Sequence, residues 1–258
     1  MNGPVSGAGA VDALRALHLD RPADRPLVLP GPWDAVSARV FEKAGFPALA
    51  TPSAGIAAVL GYEDGETPAD EMFAAVARIV RAVGVPVTAD VEDGYGLPAG
   101  ELVDRVLATG AVGVNLEDTD RDGHRLRTPE EQADRLAAVR AAAGPALFVN
   151  ARIDTYLHGG GVADAADRAR HYRAAGADCV YPIKAPATDL PRLREAGGPG
   201  PLNVLSHPGD PGFAALGTLG ATRITFGPGL LLRAATGLGE LAAGLAAEAT
   251  ADAERPEV

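Results

Sequence analysis

Three carboxylates, Asp90, Glu92 and Glu117, and one guanidinium, Arg152, stand at or just past the ends of short apolar runs. Asp90 and Glu92 are two apart at the end of a run, a spacing that points both side chains to one side of a strand. Acids gathered in this way repel one another unless a cation is present. Oxygen donors of this kind suit Mg²⁺, with Mn²⁺ as a substitute, rather than zinc. Mg²⁺ keeps several waters, so one direct carboxylate with the others acting through water is a reasonable shell. The competing reading is that the acids are solvated or paired with arginines, Glu117 with Arg152 in particular. Arg152 carries a planar fork that would clamp a substrate carboxylate, and both roles are compatible.

Further polar residues follow other apolar runs. Ser53-Ala54-Gly55 offers backbone N–H groups and a hydroxyl to an anionic oxygen. Asp64, in a Gly-rich loop, reaches back over such a site or merely forms a turn. His207 is the histidine best placed for acid–base work, and its alternative is a loop histidine bonded to backbone. Asn203 and Trp33 join the candidate substrate-binding set. Asp34, beside Trp33, is also a natural helix cap. Lys184 would put a cation near a substrate, although a lysine after a strand is often only solvated. Cys179, inside an apolar run, reads as a small core residue.

These residues need a scaffold that brings many strand ends together. The apolar runs number eight: 27–29, 48–51, 85–89, 112–116, 147–151, 179–183, 202–205 and 224–226. Helical patterns alternate with them at 34–43, 67–83, 98–109, 128–143, 162–175, 187–195, 211–219 and 229–247. A unit recurs in which an amphipathic helix meets a glycine and then a strand, at Gly45, Gly110, Gly176 and Gly220. Glycine there relieves a left-handed C-cap. Thr67-Pro68 and Thr128-Pro129 each place a hydroxyl at N-cap and proline at the first helical position. Met72, Val76, Ile79, Val80 and Val83 form one apolar helical face. Eight strands alternating with eight helices predict an α/β fold, a (β/α)8 TIM barrel, whose chemistry sits at the carboxyl ends of the strands. A doubly wound open sheet is disfavoured, since no G-x-G-x-x-G follows the first strand.

Composition agrees. The chain has 258 residues, 47% hydrophobic and only 5% aromatic, so Ala, Val, Ile and Leu must fill the core. A net charge of -11 argues against nucleic acid or an anionic membrane as partner. A single cysteine excludes an internal disulfide. No uninterrupted apolar run reaches the ~18 residues that span a bilayer, and no export signal precedes the fold, so a cytoplasmic protein without a membrane partner is expected. Residues 1–20 read as a flexible N-terminal segment, 21–248 as one barrel domain and 249–258 as a flexible tail.

The segment Leu29-Pro30-Gly31-Pro32-Trp33-Asp34-Ala35-Val36-Ser37-Ala38-Arg39, the run from Ala48 to Asp64, and Asp90-Val91-Glu92-Asp93-Gly94-Tyr95-Gly96 together resemble the isocitrate lyase/phosphoenolpyruvate mutase superfamily. Asn115-Leu116-Glu117-Asp118 is similar to its strand-four acid and Ala151-Arg152 to its substrate arginine. The resemblance implies Asp90 as the most direct Mg²⁺ ligand, with Glu92 and Glu117 completing the shell through water. It implies Ser53 and Gly55 beside the enolate or carboxylate oxygens, and Arg152 and Asp64 at the substrate. The shared intermediate is a Mg²⁺-stabilised enolate of pyruvate or a relative. Isocitrate-type lyases carry K-K-C-G-H in the loop after strand four, whereas this chain has Thr119-Asp120-Arg121-Asp122-Gly123-His124-Arg125. That argues against isocitrate or methylisocitrate as substrate, and Thr119 in place of the mutase lysine argues against phosphonomutase chemistry. His124, Arg125 and Arg127 are candidates for substitute charge, with His124 a candidate catalytic group. The expected activity is carbon–carbon lyase or decarboxylase chemistry on a small 2-oxo or 2-hydroxy (di)carboxylic acid. The alternatives are carbon–phosphorus chemistry and a catalytically inactive acid-binding barrel. The resemblance also implies a homodimer or homotetramer that exchanges the C-terminal helix.

Overall fold

A computed structural model of the chain describes residues 8–19, 21–121 and 125–253. The helix–glycine–strand unit is realised at all four places: Gly45, Gly110, Gly176 and Gly220 have φ of +92°, +84°, +98° and +119°. Each lets a helix stop and feed a strand buried on both faces. The strands and helices run α1 (Ala8–His18), β1 (Leu27–Val28), α2 (Ala35–Lys43), β2 (Leu49–Ala50), α3 (Ser53–Leu60), α4 (Ala69–Arg81), β3 (Val87–Asp90), α5 (Ala99–Thr109) and β4 (Gly113–Glu117). They continue through β5 (Thr119–Asp120), β6 (Arg125–Leu126), α6 (Pro129–Ala143), β7 (Phe148–Ile153), α7 (Val162–Ala174), β8 (Cys179–Pro182), α8 (Leu190–Ala196), β9 (Asn203–Leu205), α9 (Phe213–Thr218), β10 (Arg223–Thr225) and α10 (Gly229–Ala253).

Eight of these strands are parallel neighbours. β2, β3, β4, β7 and β8 form one arc, and β9, β10 and β1 form the other. A parallel bridge between Val180 and Leu202 joins the arcs on one side. On the other, the Ala50 N–H donates to the Pro30 carbonyl at 3.1 Å, so the sheet curls into the expected (β/α)8 barrel. β5 and β6 pair antiparallel as a small hairpin after β4, outside the eight. The hydrophobic core lies between sheet and helices, where Met72, Val76 and Ile79 of α4 are wholly buried.

Local chemistry explains the helix starts, with one correction. Asp34 caps α2 in a reciprocal box with Ser37, and Thr128 caps α6 in another with Glu131. Thr67 does not cap α4. Pro68 keeps an extended ψ of 140° and occupies the cap position itself, which leaves the Thr67 hydroxyl buried and unpartnered.

Both ends of the chain differ from expectation. Instead of a flexible segment through residue 20, α1 packs Ala10, Val11 and Leu14 against Leu27, Ala48, Val112, Phe148 and Cys179 at the amino end of the barrel. Its Arg15 donates to the Pro145 and Leu147 carbonyls at 2.6 and 3.0 Å. At the other end α10 runs to Ala253, through the start of the expected tail. Within it Gly229–Thr250, with mean hydropathy 1.3, is the one helix among the described residues long and apolar enough to cross a membrane by length and composition. A count of uninterrupted apolar residues passes over it because Arg233 and Glu240 interrupt the run. Leu232, Leu238, Leu241 and Leu245 along it are exposed.

Candidate active site

The carboxyl ends of the strands surround a cavity of about 270 Å³, small for a ligand pocket and suited to a small acid. Of the candidate residues, Ser53, Ala54, Asp64, Asp90, Arg152 and His207 line it. Asn115, Tyr181, Lys184 and Thr225 line it too. Gly55, Trp33 and Asn203 are not brought to its wall. Gly55 is required by packing, since a Cβ there would meet Pro52 Cγ at 2.8 Å. Trp33 stacks edge-on against Phe41, and Asn203 is wholly buried, accepting from the Thr225 hydroxyl at 3.2 Å. His124 lies outside the described residues.

Asp90 ends β3 with its carboxylate turned to Ser53, whose hydroxyl donates to Oδ2 at 3.1 Å and whose N–H donates at 3.5 Å. Burial pushes the Asp90 pKa up, against the opposing pull of Arg152. The Ser53 donors are therefore engaged by Asp90. Because Ser53 opens α3, the first-turn amides of Ala54 and Gly55 remain without helical acceptors. Of the two, Ala54 lines the cavity, and its amide is the one left there for an anion.

Glu92 departs from the strand alternation that would align it with Asp90. β3 ends at Asp90, and Glu92 sits in a turn with φ +51°. Its N–H donates to Asp90 Oδ1 at 3.4 Å, and its Oε2 lies 3.7 Å from Arg121. Oε1 is buried with no partner. Burial first, and then the charge of Asp90, raise the Glu92 pKa to about 7.

Glu117 closes β4 directly opposite Arg152 on β7, and the two side chains form an ion pair. Burial drives the Glu117 pKa well up, opposed by Arg152. Burial alone would lower the Arg152 pKa, but Glu117, Asp154 and Asp90 outweigh it and raise it. Arg152 also donates to Asp154, from Nε at 2.7 Å and from Nη2 at 3.2 Å. Three of its five N–H groups are thus committed and two remain for a ligand.

Behind Arg152 lies a buried support that sequence reasoning missed. Asp154 accepts from the Thr119 hydroxyl at 2.7 Å, and its N–H donates to Asp118 at 2.8 Å. Asp118 in turn accepts from the Tyr172 hydroxyl at 2.6 Å and from Arg168 at 3.1 Å. Beneath the cavity floor, Arg223 is wholly buried and reaches Asn115 Oδ1 at 3.4 Å, with Nε and Nη1 unpartnered. An arginine beginning a strand reads as solvent-facing, so only the barrel geometry could reveal a cation there. Among the described residues no three His, Cys, Asp or Glu side chains close around one point as a preformed metal cage.

A closed parallel barrel with acids and an arginine at its carboxyl ends defines a class of enzyme scaffold. Within it, residues 14–246 match the family model described as phosphoenolpyruvate phosphomutase. The chain belongs to that family, within the phosphoenolpyruvate mutase/isocitrate lyase superfamily. An uncharacterized protein of Mycobacterium tuberculosis is 33% identical over 205 residues, covering 78% of each chain. The 2,3-dimethylmalate lyase of Eubacterium barkeri is 33% identical over 183 residues, covering 66% of this chain and 63% of the lyase. A solved structure from Burkholderia cenocepacia, provisionally described as a phosphonomutase, superposes with a TM-score of 0.84 at 36% identity. That likeness covers 92% of this chain and 98% of the other. Members of the superfamily act on small carboxylic acids by cleaving carbon–carbon or carbon–phosphorus bonds.

Proposed function

We propose that the chain is a Mg²⁺-dependent carbon–carbon lyase or decarboxylase acting on a small 2-oxo or 2-hydroxy acid. The observation that carries this reading is the meeting of Asp90 and Arg152 on one small cavity, with Glu117 paired to Arg152 behind it. The residues fit a divalent cation. Glu92 Oε1 is a buried oxygen without a partner, and burial first, with Asp90 among the neighbouring carboxylates adding to it, raises the pKa of both Glu92 and Glu117. Asp90, Glu92 and Glu117 would hold the ion, which supplies Lewis-acid stabilisation of charge on the substrate oxygens.

The remaining roles belong to the chain itself. The two uncommitted N–H groups of Arg152 bind the substrate carboxylate and fix its plane. The first-turn amide of Ala54, at the positive end of α3 and on the cavity wall, faces the oxygen on which charge develops as the neighbouring bond breaks. Asp64 and His207 are the titratable groups on the cavity wall placed to take or return a proton at the adjacent carbon or hydroxyl. Asp154 and Asp118 act through Arg152 and hold it in register. The reading extends to a cytoplasmic homodimer or homotetramer, joined by exchange of the exposed α10.

The test is release of pyruvate from oxaloacetate, alkylmalates and phosphonopyruvate, with Mg²⁺ and with EDTA. Mg²⁺-dependent pyruvate from a carbon-only acid supports the proposal. Turnover of phosphonopyruvate alone supports carbon–phosphorus chemistry instead, and no turnover of any acid supports the inactive acid-binding barrel.

A further inference from the structure

Only two of the 23 basic residues are lysines, Lys43 and Lys184, and one of them stands at the cavity. Lys184 follows the end of β8 in a tight turn, where the Ala185 N–H returns to the Pro182 carbonyl at 3.2 Å. Its φ is +58°, in the left-handed region that disfavours any side chain with a Cβ. Just three described non-glycine residues have positive φ, and the other two, Glu92 and Tyr95, lie in the loop after β3 at this same end of the barrel. Backbone strain of this kind persists where the side chain is needed. Glycine would satisfy the turn more cheaply.

The charge accounting gives the side chain a task. Arg152 is already paired with Glu117 and Asp154. Arg223 is sealed beneath the floor. Lys184 has no hydrogen-bond or ion-pair partner among the described residues, so its three N–H donors are uncommitted. His207, across the rim, lines the same cavity. Among the described residues, an acid whose first carboxylate sits on Arg152 meets one further uncommitted lysine or arginine in this cavity.

From this arrangement we infer that Lys184 is a specificity-determining residue, which selects substrates carrying a second carboxylate remote from the one held by Arg152. The inference deepens the proposed function and rests on its reading of the cavity as an acid site. Lys184 is exposed at the rim, so its charge-assisted hydrogen bond is worth about tenfold in affinity only as the bound acid itself covers the ammonium from water.

The test compares two acids of equal carbon skeleton, malate and 2-hydroxybutyrate, which differ by a carboxylate against a methyl at the remote carbon. Dissociation constants are measured by calorimetry in the presence of Mg²⁺ on the intact chain. The wild-type protein should bind malate about tenfold or more tightly than 2-hydroxybutyrate. Lys184→Met and Lys184→Gly should erase most of that preference by weakening malate alone, and Lys184→Arg should retain much of it. Lys184→Gly should also raise the thermal midpoint by about 2–4 °C as the left-handed strain is relieved, a gain in stability with a loss in selectivity. Equal binding of both acids by the wild type, or a malate preference that survives Lys184→Met, overturns this inference while leaving the acid site intact. Binding of neither acid overturns the reading of the cavity and this inference with it.

Discussion

Glu117 and Arg152 are register partners on the adjacent parallel strands β4 and β7, and their side chains form an ion pair at the mouth of the barrel. The pairing follows from topology, because parallel strands in register align their last residues at the same height. It also solves an electrostatic problem. A guanidinium at this depth loses hydration, and Glu117 on one side with Asp154 on the other restores its charged state. The arginine is thereby held in place on the cavity wall, with two N–H groups uncommitted.

Removing that guanidinium should therefore damage stability and binding together. Arg152→Met leaves Glu117 and Asp154 buried without their cation, which should cost about 3 kcal/mol in urea denaturation. Arg152→Lys keeps the charge but lacks the fork, so stability should partly return while pyruvate affinity stays low. If Arg152→Met is as stable as wild type at pH 8, the ion pair is not the element that holds this strand end together.

Metal binding gives a second prediction. A ligand present at a hundredfold excess over its Kd stabilises the native state by about 2.7 kcal/mol, so saturating Mg²⁺ should raise the thermal midpoint of the wild-type protein and EDTA should reverse it. Asp90→Asn should abolish most of that rise. Glu92→Gln should reduce it, and should also stabilise the metal-free protein by removing a buried carboxylate that has one oxygen without a partner. An unchanged Mg²⁺ response in Asp90→Asn would show that the cation is held elsewhere.

The parts of this arrangement that follow local rules were legible in the sequence. Glycine after a helix, Asp34 and Thr128 as caps, and an acid or arginine closing an apolar run all act within a few residues, so spacing alone locates the strand ends. Glu92 was legible as a site acid but not in its geometry, because two-residue alternation holds only inside a strand and β3 stops at Asp90. Thr67 failed as a cap because Pro68 has extended backbone and takes the position itself. Arg223, Asn115 and the support of Arg152 by Asp154, Asp118 and Tyr172 depend on curling the sheet into a ring. Residues 54 apart in sequence, such as Asp118 and Tyr172, meet only then. The packing of α1 was hidden for a different reason: its buried face, Ala10, Val11, Leu14 and His18, follows a Gly/Ala-rich stretch that reads as frayed.

The register of β4 itself can be tested at Gly113. A Cβ there would lie 2.9 Å from Thr88 Oγ1, 3.0 Å from the Phe148 carbonyl and 3.1 Å from Thr88 Cβ. One obstacle is backbone, and the other is a stiff β-branched side chain on the neighbouring strand, so neither yields easily. Gly113→Ala should destabilise the protein by about 1–3 kcal/mol in denaturant titration. Stability equal to wild type would mean that β3 and β7 can move apart, and with them Asp90 and Arg152.

His18 makes the last prediction, and its sign is set by burial. It ends α1 against the amino end of the barrel, stacked on Phe148 with ring centroids 4.3 Å apart. Its Nδ1–H donates to the Leu14 carbonyl at 2.7 Å, which fixes the neutral tautomer, and Nε2 has no partner. Burial, with a further push from Arg223, lowers its pKa from 6.5 to about 3. Above about pH 6.5 the ring is neutral in both the folded and the unfolded chain, and its titration adds no pH dependence. As pH falls below that, the unfolded chain takes up a proton that the folded chain refuses. Stability then declines by up to about 1.4 kcal/mol per pH unit until the folded group titrates near 3. Between pH 6 and 5 most carboxylates in the unfolded chain are still ionised, so the histidine contribution is best seen there. His18→Phe preserves the stacking but cannot be protonated. Its unfolding free energy, measured in urea across that interval, should fall less steeply than that of wild type by about 1 kcal/mol. Identical slopes for the two proteins would mean that His18 is hydrated in the folded state and that α1 does not seal the barrel.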